Sequence, residues 1–96
     1  MPAYLIVNVN IKDRTAFEDY VRNVPPMVRR FGGEYLALSD TPQVIEGDWR
    51  PHRLVLVRFP DMSTAQAFLK DPEYKPWKEL RQRVTHSEMV AFEGLR

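Results

Sequence analysis

Glu46, Asp48 and Trp49, arranged around Gly47, form the chain's densest chemical cluster. Two carboxyl groups lie two residues apart beside an indole, and the glycine lets the backbone turn tightly. If the indole desolvates one carboxyl, its pKa rises and it can act as a general acid or base. The same residues also suit a structural role, with Glu46 paired to an arginine and Trp49 packed at a subunit contact. His52 sits in a proline-flanked loop and His86 opens the last apolar stretch. Either ring can carry a proton near neutral pH, or simply be solvated. Arg58 and Arg81 fall among apolar neighbours, where a guanidinium needs a partner. That partner is either a substrate carboxylate or a salt bridge to Glu46, Glu88 or Glu93. Tyr20 and Tyr35 can present a hydroxyl to a cleft.

These observations give a candidate set. Glu46, Asp48 and His86 are the candidate proton carriers, Arg81 the anion anchor, and Trp49 and Tyr35 the substrate walls. The connection holding Glu46 to Trp49 and the segment from Arg81 to His86 can meet at one end of a sheet. An ion-paired dimer seam built from the same residues is the competing arrangement. No His-X-His or His-X-X-X-His spacing supports a metal site, and nothing selects a haem ligand, so no metal or cofactor is expected. Gly32-Gly33 lacks the surroundings of a phosphate cradle, and Ser63 reads as a helix cap rather than a nucleophile.

Composition narrows the field. Lys plus Arg is 14 against 13 for Asp plus Glu, a net charge of +1, which advertises neither nucleic acid nor an anionic membrane. The absence of cysteine removes disulfides, thiolate metal sites and cysteine nucleophiles. With 96 residues, 44% of them hydrophobic and no long apolar run, the expectation is one cytoplasmic domain spanning residues 1–96.

The hydrophobic pattern supplies the scaffold. Ala3, Leu5, Val7, Val9 and Ile11 alternate with Tyr4, Ile6, Asn8 and Asn10, as in a strand with one apolar face. Asp13 offers an N-cap to a helix carrying Phe17, Tyr20, Val21, Val24 and Val28. Pro25-Pro26 should break or kink that helix, and Gly32 should cap it in the left-handed conformation. Glu34 to Leu38 reads as a second strand, with a turn or bulge at Asp40-Thr41-Pro42. Leu54 to Phe59 is a third strand. Ser63 and Gln66 suggest a capping box for the next helix. Tyr74, Trp77, Leu80, Arg81 and Val84 mark a further helical piece, and His86 to Glu93 a last strand.

The fold class is therefore α+β, a ferredoxin-like βαββαβ plait whose four-stranded antiparallel sheet has its helices on one face. The Ala3–Val9 face should meet the helices. The other face, with Tyr4, Ile6, Leu56, Val90 and Phe92, is too apolar to stand in water, so a homodimer is expected. RNA-recognition modules share this plait, but Leu54 to Phe59 lacks their glycine and has one aromatic residue, which argues against nucleic acid.

Several segments resemble a family of small bacterial proteins known as domain of unknown function 1330. They are Phe17-Glu18-Asp19-Tyr20, Val24-Pro25-Pro26, Phe31-Gly32-Gly33-Glu34-Tyr35, Glu46-Gly47-Asp48-Trp49, Asp71-Pro72-Glu73-Tyr74 and Phe92-Glu93-Gly94. Leu38 to Pro42 departs from the glycine-rich turn common in that family. The resemblance implies a dimeric α/β barrel, two ferredoxin-like subunits with their sheets face to face. That superfamily includes cofactor-free monooxygenases, muconolactone isomerases and haem-dependent enzymes. No reaction carries over from the resemblance. The preferred functional expectation is a homodimer binding a small organic molecule. A cofactor-free enzyme abstracting a proton, or a dimer with no ligand, are the alternatives. An unpaired carboxylate or imidazole in a pocket would favour the enzyme, and an apolar pocket without one would favour binding.

Overall fold

The structure is a computed structural model describing residues 1–95. It comprises β1 (Ala3–Ile11), α1 (Arg14–Arg30), β2 (Glu34–Ser39), β3 (Arg53–Phe59), α2 (Met62–Lys70), α3 (Lys75–Val84) and β4 (Thr85–Glu93). The strands form one antiparallel sheet in the order β2-β3-β1-β4. This is the ferredoxin-like plait, with the second helical unit divided at Asp71-Pro72 into α2 and α3. Among the described residues, no helix is long and apolar enough to cross a membrane.

The alternation of β1 decides which way the sheet faces. Ala3, Leu5, Val7 and Val9 are buried against the helices, together with Val57 and Phe59 of β3. Tyr4, Ile6 and Asn8 point to the other side, where register sets Ile6 between Leu56 and Val90 and Tyr4 between Arg58 and Phe92. Val90 and Phe92 remain exposed there. Arg58 finds its carboxylate on the neighbouring strand, Glu34 at 3.4 Å, rather than in Glu46, Glu88 or Glu93.

Asp13 caps α1, its Oδ1 accepting from the Ala16 amide at 3.1 Å. The expected interruption at the proline pair does not occur, and α1 runs unbroken through Pro25 and Pro26. Each proline removes one helical hydrogen bond, at a cost of about 3 kcal/mol in a helix interior. Val24 and Val28, both nearly fully buried, pin the helix on either side of the pair. Each contributes about 1.5–3 kcal/mol of burial, enough to offset much of that cost. At the end of α1 the Gly32 amide donates to the Arg29 carbonyl and the Gly33 amide to the Val28 carbonyl, a Schellman closure. Gly32 takes φ +78°, as the closure requires.

One local expectation fails for a physical reason, and one feature of β2 goes unanticipated. Asp61, not Ser63, caps α2: its Oδ1 accepts from the Thr64 amide at 2.7 Å and from the Ser63 hydroxyl at 3.0 Å. Hydrogen bonding from Thr64 holds the Asp61 carboxyl below the usual carboxylate range. An ionised carboxylate is the stronger acceptor, and it recruits the serine as a donor. The chain bends at Asp40-Thr41, within the segment where a turn or bulge is expected, and a separate bulge lies earlier in β2, between Tyr35 and Ala37. A bulge inserts one extra residue and changes which side chains share a face. Here it puts Tyr35 opposite Val57 and Leu38 opposite Val55, both on the helix side.

Residues 40–52 form no strand. Their ends are tied down by Arg53, whose Nε donates to Asp40 at 2.7 Å, and by the His52 amide, which donates to Asn8 Oδ1 at 2.8 Å. Asn8 in turn donates to Glu88 at 3.2 Å, so this buried amide is satisfied at both ends.

Candidate functional site

Small side chains on the inner face of the sheet leave a hollow. Val7, Val9, Val55 and Val57 present short β-branched groups towards the helices, and α1 lies across them. Between them lies a cavity of about 120 Å³, closed on the helix side by Phe17, Val24 and Val28. Its exposed lining residues, Val21 of α1 and Tyr35 and Leu38 of β2, put the mouth between α1 and the edge strand. Pro25 also lines it, so the proline pair sits at the cavity without breaking the helix.

Few polar groups reach this space. The Tyr20 and Tyr74 hydroxyls are 2.8 Å apart and share a hydrogen bond. Phe17 stacks on Tyr20 at 5.1 Å between ring centroids, and Phe68 lies against Tyr74 at 4.3 Å, so packing fixes both rings. Burial pushes the Tyr20 phenol well above its ordinary range, reinforced by Tyr74 and opposed by the positive charge of Arg81. Burial also pushes Tyr35 up to about 12, against the opposing pull of Arg29. Both phenols are therefore neutral hydrogen-bonding groups at physiological pH. Arg53 lines the cavity too, but Asp40 accepts from its Nε at 2.7 Å and from its Nη2 at 3.3 Å.

Arg81 differs from the other arginines. It lies in the last turn of α3, is 6% exposed and lines the cavity. Its Nη1 donates to the Ser87 hydroxyl of β4. Its Nε is buried and has no hydrogen-bond partner among the described residues. No Asp, Glu or His belongs to the cavity lining.

The six residues singled out in the sequence separate into two groups. Arg81 and Tyr35 line the cavity. Glu46, Asp48 and Trp49 lie exposed in the loop between β2 and β3, and Trp49 is 55% exposed. His86 is exposed opposite Asn10, on the uncovered face of the sheet. Arg81 and His86 therefore lie on opposite sides of the sheet, so the expected single neighbourhood does not form around the cavity. Tyr74 and Ser87 also belong to the polar setting of Arg81. Tyr74 reads in the sequence as one more core aromatic, and only its hydroxyl distinguishes it. Ser87 becomes visible only once β4 is known to turn its odd-numbered residues towards the helices.

The family model for a domain of unknown function (DUF1330) matches residues 2–95. The chain belongs to this family. No curated protein sequence matches it. Among solved structures, the DUF1330 chain is similar to a protein of unknown function from Rhodopseudomonas palustris, at 18% identity and a TM-score of 0.81, over 99% of this chain and 83% of that one. It is also similar to a dimeric ferredoxin-like protein of unknown function from Jannaschia sp. CCS1, at 12% identity and a TM-score of 0.77, over 98% and 100% of the two chains. A third similar structure is SnoaB, a cofactor-independent oxygenase from Streptomyces nogalater, at 12% identity and a TM-score of 0.69, over 99% and 94%. At these identities the likeness is one of fold.

Proposed function

We propose that this DUF1330 protein is a homodimer that binds a small, largely apolar organic molecule between the sheet and helices of each subunit. The observation that carries this reading is the cavity. Protein interiors are close-packed, and unfilled space costs about 24 cal/mol per Å³. Closed and dry, a space of about 120 Å³ would cost about 3 kcal/mol, a large share of the roughly 5–15 kcal/mol that stabilises a domain; here the mouth between α1 and β2 opens it to a ligand instead. An apolar cavity of about 150 Å³ is known to take a benzene ring, so this one suits a single-ring body whose remainder reaches the mouth. A lining without carboxylate or imidazole favours binding over proton abstraction.

The uncovered sheet face supports the dimer. The chain exposes 6447 Å², roughly 700 Å² more than the surface–mass relation gives for a monomer of 11.3 kDa. That excess is close to the roughly 800 Å² each partner buries in a standard interface. Val90 and Phe92 stand exposed on the uncovered face, and Ile45 and Trp49 stand exposed in the loop between β2 and β3. Glu46, Asp48 and His86 do not line the cavity, and this reading gives them no part in binding.

The test is an amide NMR titration with benzyl alcohol. Shifts should concentrate at Val7, Val57 and Tyr20, and Val57→Phe should abolish them. No shift, or shifts confined to the uncovered sheet face, would overturn the cavity as the binding site.

A further inference from the structure

Arg81 is a cation almost removed from water, and a buried charge without a counter-charge is strongly disfavoured. The described residues hold four ion pairs, Arg22–Asp19, Arg30–Glu73, Arg53–Asp40 and Arg58–Glu34, and none includes Arg81. A neutral hydroxyl, that of Ser87, is its one side-chain partner, and it engages Nη1 only. Its Nε–H is closed off and has no acceptor, while the residue as a whole lines the cavity. Tyr20, close enough to feel the charge of Arg81, shares one hydrogen bond with Tyr74. Two hydroxyls joined by one bond keep one O–H free to donate. An unmatched cation and a spare O–H thus border one apolar space.

We propose that the cavity selects a monoanionic carboxylate carried on an aromatic or branched apolar body, with the carboxylate seated against the guanidinium of Arg81. The proposal rests on the cavity being the binding site and adds the chemical class of the ligand. A planar guanidinium edge matches the two oxygens of a carboxylate. One unpaired cation matches one negative charge, because Arg53, the other arginine at the cavity, is already held by Asp40. The valine walls receive the apolar body, and the tyrosine pair supplies a further donor.

Calorimetric titration of the full chain with benzoate, benzamide and phenylphosphonate tests this. Benzoate and benzamide share a shape and differ in charge. Benzoate should bind at least tenfold more tightly than benzamide, and Arg81→Met should remove that preference. Equal affinity of the wild-type protein for the two would overturn the carboxylate assignment while leaving the cavity as a binding site. Tighter binding of phenylphosphonate than of benzoate would overturn it in favour of a phosphoryl group. Failure of all three to bind would overturn the cavity reading and this proposal together. The wild-type comparison decides the matter even if Arg81→Met fails to fold.

Discussion

A residue kept for a ligand should cost stability when the ligand is absent, and Arg81 allows this to be measured. The perturbation is the double substitution Arg81→Met with Ser87→Ala. Methionine keeps an unbranched apolar stem of similar reach, and alanine removes the hydroxyl that the guanidinium would otherwise leave alone. Removing both partners of a hydrogen bond is close to neutral, whereas an unsatisfied buried donor costs about 1–3 kcal/mol. The Nε of Arg81 is such a donor. Its removal should therefore stabilise the ligand-free protein by about 1–3 kcal/mol, with relief of the unpaired charge adding to the gain. At about 4–8 °C per kcal/mol for a domain of this size, thermal unfolding followed by circular dichroism should show a clear rise in Tm. Wild type and variant should be compared at one protein concentration, since self-association makes Tm concentration-dependent. A loss of more than about 1 kcal/mol would refute the reasoning, because Arg81 would then be holding α3 to β4 rather than awaiting a ligand.

The tyrosines and the assembly give two further expectations. Tyr35 is pushed up to about 12 from 10.0 and Tyr20 higher still, so phenolate absorbance should show both ionising after an ordinary tyrosine. A raised folded pKa means that the folded protein keeps protons the unfolded chain has lost. The stability from these groups should thus be intact below pH 10 and decline as pH rises from about 10 towards 12. Ordinary titration of all four tyrosines near pH 10 would contradict the desolvated cavity. Light scattering with chromatography should give twice the 11.3 kDa chain mass, and Val90→Lys should shift the protein to monomer. A wild-type monomer at micromolar concentration would remove the argument from the uncovered face.

The scaffold was legible where a repeating pattern reports burial directly. The two-residue period of Ala3 to Val9 identified the strand and its inward face, because a strand buried on one side must alternate. Phe17, Val24 and Val28 gave the helix for the same reason. The break expected at Pro25-Pro26 came from a local rule, and tertiary packing of Val24 and Val28 outweighs it. Serine at position 63 has the residue type of a cap, but Asp61, two residues earlier, has the stronger acceptor. The β2 bulge has no glycine or proline to announce it, so Leu38 could not be assigned to the face of Tyr35 from alternation alone.

The candidate site was legible only in part, and the division follows from burial. Arg81 stood out because a charge interrupts an otherwise apolar helical stripe, and such an interruption records a three-dimensional position. Glu46, Asp48 and Trp49 stood out by proximity in sequence. Proximity says nothing about solvent access, and these residues lie in a loop without periodic structure. Tyr20 and Tyr74, 54 positions apart, meet only when α1 packs across the start of α3.

The cavity and Arg81 act on stability in the same direction, and this links the fold to its use. Both lower the stability of the empty protein, the first through missing contacts and the second through an unmet cation. A ligand at about one hundred times its Kd returns about 2.7 kcal/mol. A carboxylate also supplies the charge that Arg81 lacks, so one molecule relieves both deficits at once. A larger apolar side chain in place of Val57, or methionine in place of Arg81, would relieve one deficit permanently and remove part of the ligand's advantage. The coupling therefore sets a signature beyond affinity. Benzoate should raise the Tm of the wild-type protein more than that of Arg81→Met at equal concentration, and benzamide should show a smaller difference between the two.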